Sequence, residues 1–183
     1  DGGTISENDA SGDDASGDGA SGGGVCISGG TFTMSGGAVI SKNTAASSGG
    51  GVFVSDSGKF TMEGGTIGET GGGSSNSAEN GGGVYIHNGT FTMSGSAVIS
   101  GNNASSSSSS SSGGGVYVGG DRQGTSTFTM RDRAVISGNS ATSSGGGVYV
   151  YETGEFTMEG GTIGEKTVEA SGNSSEFGGG VCV

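Results

Sequence analysis

The side chains that could support catalysis are few and are spread along the sequence. His87 is the only histidine, and the sequence predicts no acid or nucleophile beside it. Glu63 and Glu159 follow the same Phe-Thr-Met motif in repeat units three steps apart, about 14 Å at one strand spacing per step. They are too far apart to form the close carboxylate pair of a glycoside hydrolase. We therefore expect no enzyme activity, metal site or cofactor, and interpret His87 as a surface residue.

The basic residues are concentrated in one repeat unit. Arg122, Arg131 and Arg133 lie there with Asp121 and Asp132, a pattern that predicts a solvated salt-bridge cluster, with recognition of an anionic sugar as the alternative. The whole chain has 6 basic and 18 acidic residues and a net charge of -12. Such an acidic chain is not expected to bind nucleic acid.

An acidic stretch near the N-terminus could hold calcium loosely. Its aspartates are Asp9, Asp13, Asp14 and Asp18, set among Gly, Ala and Ser. The stretch lacks the ligand spacing of an EF-hand loop and of the calcium-binding nonapeptide repeat. We interpret it as a flexible acidic loop.

The elements that must position these residues come from an internal repeat. With 46 glycines, no proline and 28% hydrophobic residues in 183, the composition alone would suggest disorder. The apolar residues nevertheless recur with a period of about 32 residues, in the range typical of solenoids. The valine that follows each Gly-Gly-Gly lies at Val25, Val52, Val84, Val116, Val148 and Val181.

Each repeat unit contains three strand motifs rich in β-branched and aromatic residues. The first begins at the triple glycine, the second is Phe-Thr-Met, and the third is Ala-Val-Ile-Ser or Gly-Thr-Ile-Gly. Equivalent strands must stack in parallel, which predicts an all-β, right-handed parallel β-helix, a three-strand β-solenoid of five to six coils. Residues 1–183 would form a single domain. Inward ladders of Val, Phe, Met and Ile would form its core.

The corners and connections of the coils should contain residues that tolerate turns. Asn43, Asn102 and Asn139 each follow an Ile-Ser-x motif and are predicted to be corner residues with left-handed backbone geometry. The connection from the third strand to the next triple glycine has low complexity and includes an unbroken serine run, 105–112. We expect it to be a mobile, solvated loop.

The motifs Gly-Gly-Gly-Val-Tyr-Val, Thr-Phe-Thr-Met and Ala-Val-Ile-Ser-Gly-Asn-Ser-Ala together resemble a known family. They are similar to the repeats of bacterial surface proteins with pectin-lyase-like right-handed parallel β-helices, including polymorphic outer-membrane protein repeats. The resemblance covers essentially the whole chain. It implies an extracellular or cell-surface location and a scaffold for adhesion, self-assembly or, occasionally, catalysis. No apolar run is long enough for membrane insertion as a helix.

Two outward ladders are candidate interaction surfaces. The first, the aromatic ladder, contains one residue per coil: Cys26, Phe53, Tyr85, Tyr117, Tyr149 and Cys182. Its stacked rings could simply stabilise neighbouring coils. Alternatively, the aromatic residues Phe53, Tyr85, Tyr117 and Tyr149 could form a self-association or sugar-binding face.

The second outward ladder is formed by threonines. Its main column is Thr33, Thr61, Thr92, Thr129 and Thr157. Thr31, Thr90 and Thr127 extend it to Thr-x-Thr in three coils, whereas Lys59 and Glu155 interrupt this second column. Flat threonine arrays resemble ice-binding solenoids, but β-propensity alone also explains the pattern.

The two cysteines occupy the same strand position in the first and last coils. An intramolecular disulfide between Cys26 and Cys182 is excluded, because five coil steps separate them by about 24 Å, and a disulfide requires Cα atoms within about 7 Å. Head-to-tail stacking of two molecules would instead make them neighbours. We therefore predict an intermolecular disulfide, as an oxidising extracellular setting permits; the alternative is that both are unpaired.

The leading functional hypothesis is an extracellular structural β-solenoid that self-assembles head-to-tail into a filament or surface layer. An adhesin or glycan-binding surface module is the alternative, and an ice-binding protein a distant one. The expected partners are further copies of the chain and, under the adhesin alternative, surface glycans. The motif count is six first, five second and six third strands. Because this leaves one face a strand short, we expect the chain to be a segment of a longer repeat protein.

Overall fold

The computed structural model describes residues 2–12, 19–69, 75–106, 110–121, 124–164 and 172–183. All regular secondary structure in these residues is β, in short strands that pair in parallel. Each strand pairs with the equivalent strand of the coils before and after it, so that the coils stack one on another. The predicted parallel β-helix is therefore confirmed.

In the described residues the strands form four sheets. Sheet 1 contains Val25–Ser28, Val52–Ser55, Val84–His87, Val116–Val118, Val148–Val150 and Val181–Cys182. Sheet 2 contains Thr31–Met34, Lys59–Met62, Thr90–Met93, Ser126–Met130 and Gly154–Met158. Sheet 3 contains Thr4–Ser6, Val39–Ser41, Thr66–Gly68, Val98–Ser100, Val135–Ser137 and Thr162–Ile163. Sheet 4 contains Asp9–Ala10, Thr44–Ala45, Ser77–Ala78, Asn103–Ala104 and Ser140–Ala141.

Sheets 1, 2 and 3 are the three predicted strand types, with the predicted six, five and six strands in the part of the chain that the structure describes. Sheet 4 is an addition that the sequence pattern did not predict. Its strands are only two residues long, and they lie in the stretch interpreted as a loop.

The prediction that the serine run 105–112 is a solvated loop is wrong for its last two residues. Ser111 and Ser112 are buried, and Ser112 forms a β-bridge with Ser144. Residues 107–109 lie outside the described residues.

The core consists of ladders of identical or similar side chains, as predicted. Phe60, Phe91 and Phe128 are fully buried, and their rings stack with centroid distances of 4.6 and 4.8 Å. Alternation in the strands places Val116 and Val118 inside and Tyr117 half-exposed outside. Burial of each phenylalanine contributes about 2 kcal/mol to the stability of the stack.

The triple glycine is required by close contact between coils. Gly113 has φ of 69°, a left-handed conformation that favours glycine. A Cβ atom at Gly115 would lie 2.6 Å from the carbonyl oxygen of Gly147 in the next coil. A side chain at the third glycine would therefore push neighbouring coils apart.

The corner asparagines differ from the prediction. Asn43, Asn102 and Asn139 lie at the corners, but the left-handed residue is the one before each of them, for example Lys42 with φ of 59° and Gly101 with φ of 71°. The asparagines themselves are buried. Their side chains point into the solenoid because an amide there can pair with the neighbouring coils above and below.

These residues belong to an asparagine ladder that includes every coil: Asn8, Asn43, Asn76, Asn102, Asn139 and Asn173. The Nδ2 of Asn102 donates to Oδ1 of Asn139 and to the carbonyl oxygen of Ile67, each at 3.0 Å. A buried amide is tolerated because its donors and acceptor are satisfied. The ladder therefore fixes the register of the coils at the corner between sheets 3 and 4.

Candidate functional site

The aromatic ladder lies along the outer face of sheet 1, as predicted. In the strand register Phe53 pairs with Tyr85, Tyr85 with Tyr117, and Tyr117 with Tyr149. All four side chains are half-buried. The alternation of the strands thus places one aromatic ring per coil at the surface of four consecutive coils.

The rings of the aromatic ladder mostly cover one another. Tyr85 and Tyr117 have centroids 4.4 Å apart and ring planes inclined by only 11°. The Phe53 ring is tilted by 32° against Tyr85 at 5.7 Å, and the Tyr149 ring meets Tyr117 edge-on at 5.1 Å. Each such pair contributes about 1 kcal/mol beyond burial of its area. The ring faces at the centre of the ladder are therefore covered by neighbouring rings, which favours a role in holding coils together.

Two further rings, which the sequence analysis did not place in the ladder, extend it sideways. Tyr151 lies 6.2 Å from Tyr149 and 6.4 Å from Tyr117, and His87 lies 6.4 Å from Tyr85, measured between ring centroids. Each follows a ladder residue by two positions. Because side chains two apart lie on the same side of a strand, the period of two was the signal that could have identified them.

The phenols of the aromatic ladder are neutral at physiological pH. Burial raises the pKa of Tyr117 well above its usual range, and the nearby Tyr85, Tyr149 and Tyr151 raise it further. Burial also raises the pKa of Tyr85, although its hydrogen bond with Tyr117 opposes this effect. The pKa of Tyr149 is raised by burial and by Cys182. The ladder is thus an uncharged surface on an acidic protein.

A groove of about 560 Å³ runs beside one end of the aromatic ladder. Its principal lining residues are the aromatic Phe53, Tyr85 and His87 and the serines Ser21, Ser47 and Ser48. A groove lined by both aromatic and hydroxyl-bearing residues is a chemical environment suited to a neutral, hydroxyl-rich ligand.

The interpretation of His87 as a residue without an acid beside it is wrong. Its Nε2 lies 4.0 Å from Oδ2 of Asp121, and the side chain is about one-third exposed. Asp121 also accepts a hydrogen bond from Nδ2 of Asn88 at 2.9 Å through its other oxygen. The pair lies at the surface beside the aromatic ladder. Among the described residues, no group of three or more His, Cys, Asp or Glu side chains could hold a metal ion.

The predicted salt-bridge cluster within one coil is tested only in part, and the described contacts of Arg131 and Asp132 reach other coils. Arg131 Nε lies 3.8 Å from Oε2 of Glu159 in the following coil. Asp132 Oδ2 accepts a hydrogen bond from the backbone amide of Gly95 in the preceding coil, at 2.9 Å. These side chains therefore connect coils, because their nearest neighbours are one strand spacing away along the rod. Arg122 lies outside the described residues, and the structure places no salt bridge at Arg133 within the described part.

Glu63 and Glu159 lie three coil steps apart, as predicted. Met62, Met93, Met130 and Met158 pair successively, so that Glu63 and Glu159, which follow the first and last of them, are three steps apart. Of the acidic N-terminal stretch, Asp9 lies in a strand of sheet 4. The other aspartates lie outside the described residues: Asp13, Asp14 and Asp18.

The threonine column is continuous on the outer face of sheet 2. Thr33, Thr61, Thr92, Thr129 and Thr157 pair in register. The adjacent column contains Lys59 beside Thr90 and Glu155 beside Thr127. Both charged residues are exposed, so the flat threonine surface is interrupted twice. Ice binding stays a prediction.

The two thiols lie at opposite edges of sheet 1. Cys26 pairs with Phe53 and is exposed, and Cys182 pairs with Tyr149 and is half-buried. Four strands of sheet 1 lie between the strands that contain the two cysteines, and both cysteines are free. An intermolecular bond between them stays a prediction.

No family model, curated protein or solved structure matches this chain. The resemblance to bacterial surface proteins with pectin-lyase-like repeats thus stays a prediction. In the part of the chain that the structure describes, no helix has the length and hydropathy needed to cross a membrane.

Proposed function

We propose that this chain is an extracellular structural β-solenoid that assembles head-to-tail into filaments. The observation that supports the proposal is the self-complementarity of the coils. Phe91 stacks on Phe128, Met93 pairs with Met130, and Asn102 bonds to Asn139. The lower face of a coil is therefore complementary to the upper face of another. Contact between two different, complementary faces of one chain generates open-ended filaments when the rotation does not close a ring.

The last coil in the structure presents core positions to solvent. Val148 and Met130 are fully buried, whereas the residues that occupy the same inward positions one coil later, Val181 and Met158, are 37% and 47% exposed. A further coil that continues sheets 1 and 3 would cover Val181 and pair the open edges of those two sheets. Sheet 2 has one strand fewer and would lack a strand at the joint, so Met158 would stay partly uncovered. This burial supplies the driving force for the proposed contact.

The first coil presents the matching surface. A cavity of about 370 Å³ opens there between sheets 2 and 3. Its apolar lining includes Ile5, Phe32, Met34 and Val39. Both surfaces that meet at the proposed joint are thus apolar and carry open strand edges.

The proposal is tested by negative-stain electron microscopy and sedimentation velocity of the purified 183-residue chain. We expect open-ended filaments one solenoid wide, whose length increases with protein concentration. Val181→Asp places a charge on the proposed joint and should leave monomers. Thr90→Asp places the same charge on the exposed outer face of sheet 2 and should leave the filaments intact. A chain that stays monomeric at millimolar concentration would refute the proposal.

A glycan-binding surface module is the second candidate. The groove beside Phe53, Tyr85 and His87 supports it, because aromatic rings and serine hydroxyl groups face one space there. A glycan array probed with the wild-type chain and with His87→Ala tests this function. Binding to a neutral oligosaccharide that the variant loses would support it, and an array without signal would contradict it.

A further inference from the structure

All four tyrosines of the chain lie in one cluster. Tyr117 is at its centre: its ring centroid lies 4.4 Å from Tyr85, 5.1 Å from Tyr149 and 6.4 Å from Tyr151. Neither a head-to-tail joint nor the sugar-binding groove requires a cluster of four phenols. Phenylalanine would pack the coils as well as tyrosine does, as the stacked phenylalanine rings of sheet 2 show.

We propose that this tyrosine cluster is a site of oxidative cross-linking, at which a one-electron oxidant joins Tyr117 to Tyr85 or Tyr149. The product is a dityrosine that connects neighbouring coils by a covalent bond. The co-reactant is any outer-sphere one-electron oxidant able to oxidise a phenol.

The reaction is balanced as a two-electron oxidation. Each of two phenols loses one electron to the oxidant and one proton to water, which gives two tyrosyl radicals. The radicals couple through the ring carbons next to the hydroxyl-bearing carbons, and a carbon–carbon bond forms. The hydrogen on each coupled carbon then moves to the oxygen, which restores both aromatic rings. The protein loses two hydrogen atoms in total.

The geometry favours coupling within the ladder over other fates of the radicals. Tyr85 and Tyr117 are held in strand register, with nearly parallel rings whose centroids lie 4.4 Å apart. Two reactive groups fixed in contact react as if at very high local concentration. The rings are also half-buried, which limits encounters with radicals on other molecules.

Tryptic mapping identifies the bond. Trypsin leaves Tyr85 and Tyr117 together in peptide 60–122 and places Tyr149 in peptide 134–166. The folded, dilute chain is oxidised by photogenerated tris(bipyridine)ruthenium(III), with persulfate as the final electron acceptor. We expect dityrosine fluorescence in the monomer band. Mass spectrometry should show peptide 60–122 lighter by two hydrogen atoms, the two peptides joined, or both.

Two variants and one condition test the assignment. Tyr117→Phe keeps the ring and should abolish both products, whereas Tyr151→Phe should retain them. Unfolding in urea before oxidation should lower the yield several-fold, because contact between the phenols is lost. Equal yields from folded and unfolded chain, or undiminished products in Tyr117→Phe, would overturn the proposal. The experiment uses monomers, so its outcome does not depend on filament formation.

Discussion

The backbone amide and the side-chain amide of Asn102 both donate hydrogen bonds to Oδ1 of Asn139, each at 3.0 Å. One side-chain oxygen thus satisfies two donors of the preceding coil. The same pairing occurs between Asn43 and Asn76. Because the bonded atoms belong to different coils, this arrangement resists slippage of one coil against the next.

Asn102→Ala should lower the free energy of unfolding by about 3 kcal/mol, because it leaves buried polar groups of two coils without partners. Urea denaturation followed by circular dichroism measures the loss. Asn103→Ala is the matched control, since Asn103 is only half-buried: its side chain donates to the exposed Ser105 within its own turn and accepts one hydrogen bond, from Ser140 of the following coil. Its loss should be limited to about 1 kcal/mol, the contribution of one hydrogen bond that is not fully buried. Equal losses in the two variants would mean that the asparagine ladder does not stabilise the stack.

The asparagine ladder also marks the limit of what the sequence could predict. The solenoid and its inward and outward faces follow from apolar residues with a fixed period, such as Val116 and Phe128, because burial requires that period. Asn76 has no fixed spacing that would identify it as a ladder residue. The stretch between Ile67 and Asn76 is longer than the equivalent stretch between Ile99 and Asn102. The recurring Asn-x-Ala motif, as in Asn76-Ser-Ala, was the available clue. The strands of sheet 4 have only two residues, which is too short for an alternating pattern to be recognised in the sequence.

A side chain at the third glycine of the triplet should separate two coils. Gly115→Ala places a Cβ atom 2.6 Å from the carbonyl oxygen of Gly147, and we expect a loss of about 2 kcal/mol in the free energy of unfolding. Gly37→Ala is the control, because no atom lies within 4 Å of the added Cβ. It should be neutral or slightly stabilising. Thermal denaturation compares the variants; a Gly115→Ala chain as stable as Gly37→Ala would contradict the close contact.

The raised phenol pKa values predict that stability decreases at alkaline pH. Tyrosine in the unfolded chain ionises near pH 10, whereas Tyr85, Tyr117 and Tyr149 remain protonated to higher pH in the folded chain. The unfolded state therefore loses protons first, and the free energy of unfolding falls as the pH rises past about 10. Urea titrations across this range should show the decline.

The ladder residues provide a test of this cause. Tyr117→Phe removes a half-buried phenol and should make the alkaline decline shallower. Phe53→Leu disturbs the packing of the same ladder without removing a titrating group, so it should lower stability equally at neutral and alkaline pH. If both variants retain the full alkaline slope, the decline comes from groups outside the ladder.

The last prediction concerns the joint between molecules and rests on the proposed head-to-tail assembly. Cys26 and Cys182 occupy the column of the aromatic ladder at opposite edges of sheet 1. A joint that continues sheet 1 in register places them one strand spacing apart, about 4.8 Å, within the Cα separation that a disulfide bridges. We expect non-reducing electrophoresis of oxidised filaments to show a ladder of multimers that collapses with reductant.

Cysteine variants distinguish a disulfide at the joint from random oxidation. Cys26→Ser should abolish the multimer ladder, while electron microscopy still shows filaments, because the joint does not require the bond. Adding Thr90→Cys to Cys26→Ser restores the number of thiols but places one on the outer face of sheet 2. That double variant should give no ladder. A ladder from the double variant would assign the bond to chance collisions, and a single monomer band from oxidised wild-type filaments would exclude the in-register joint.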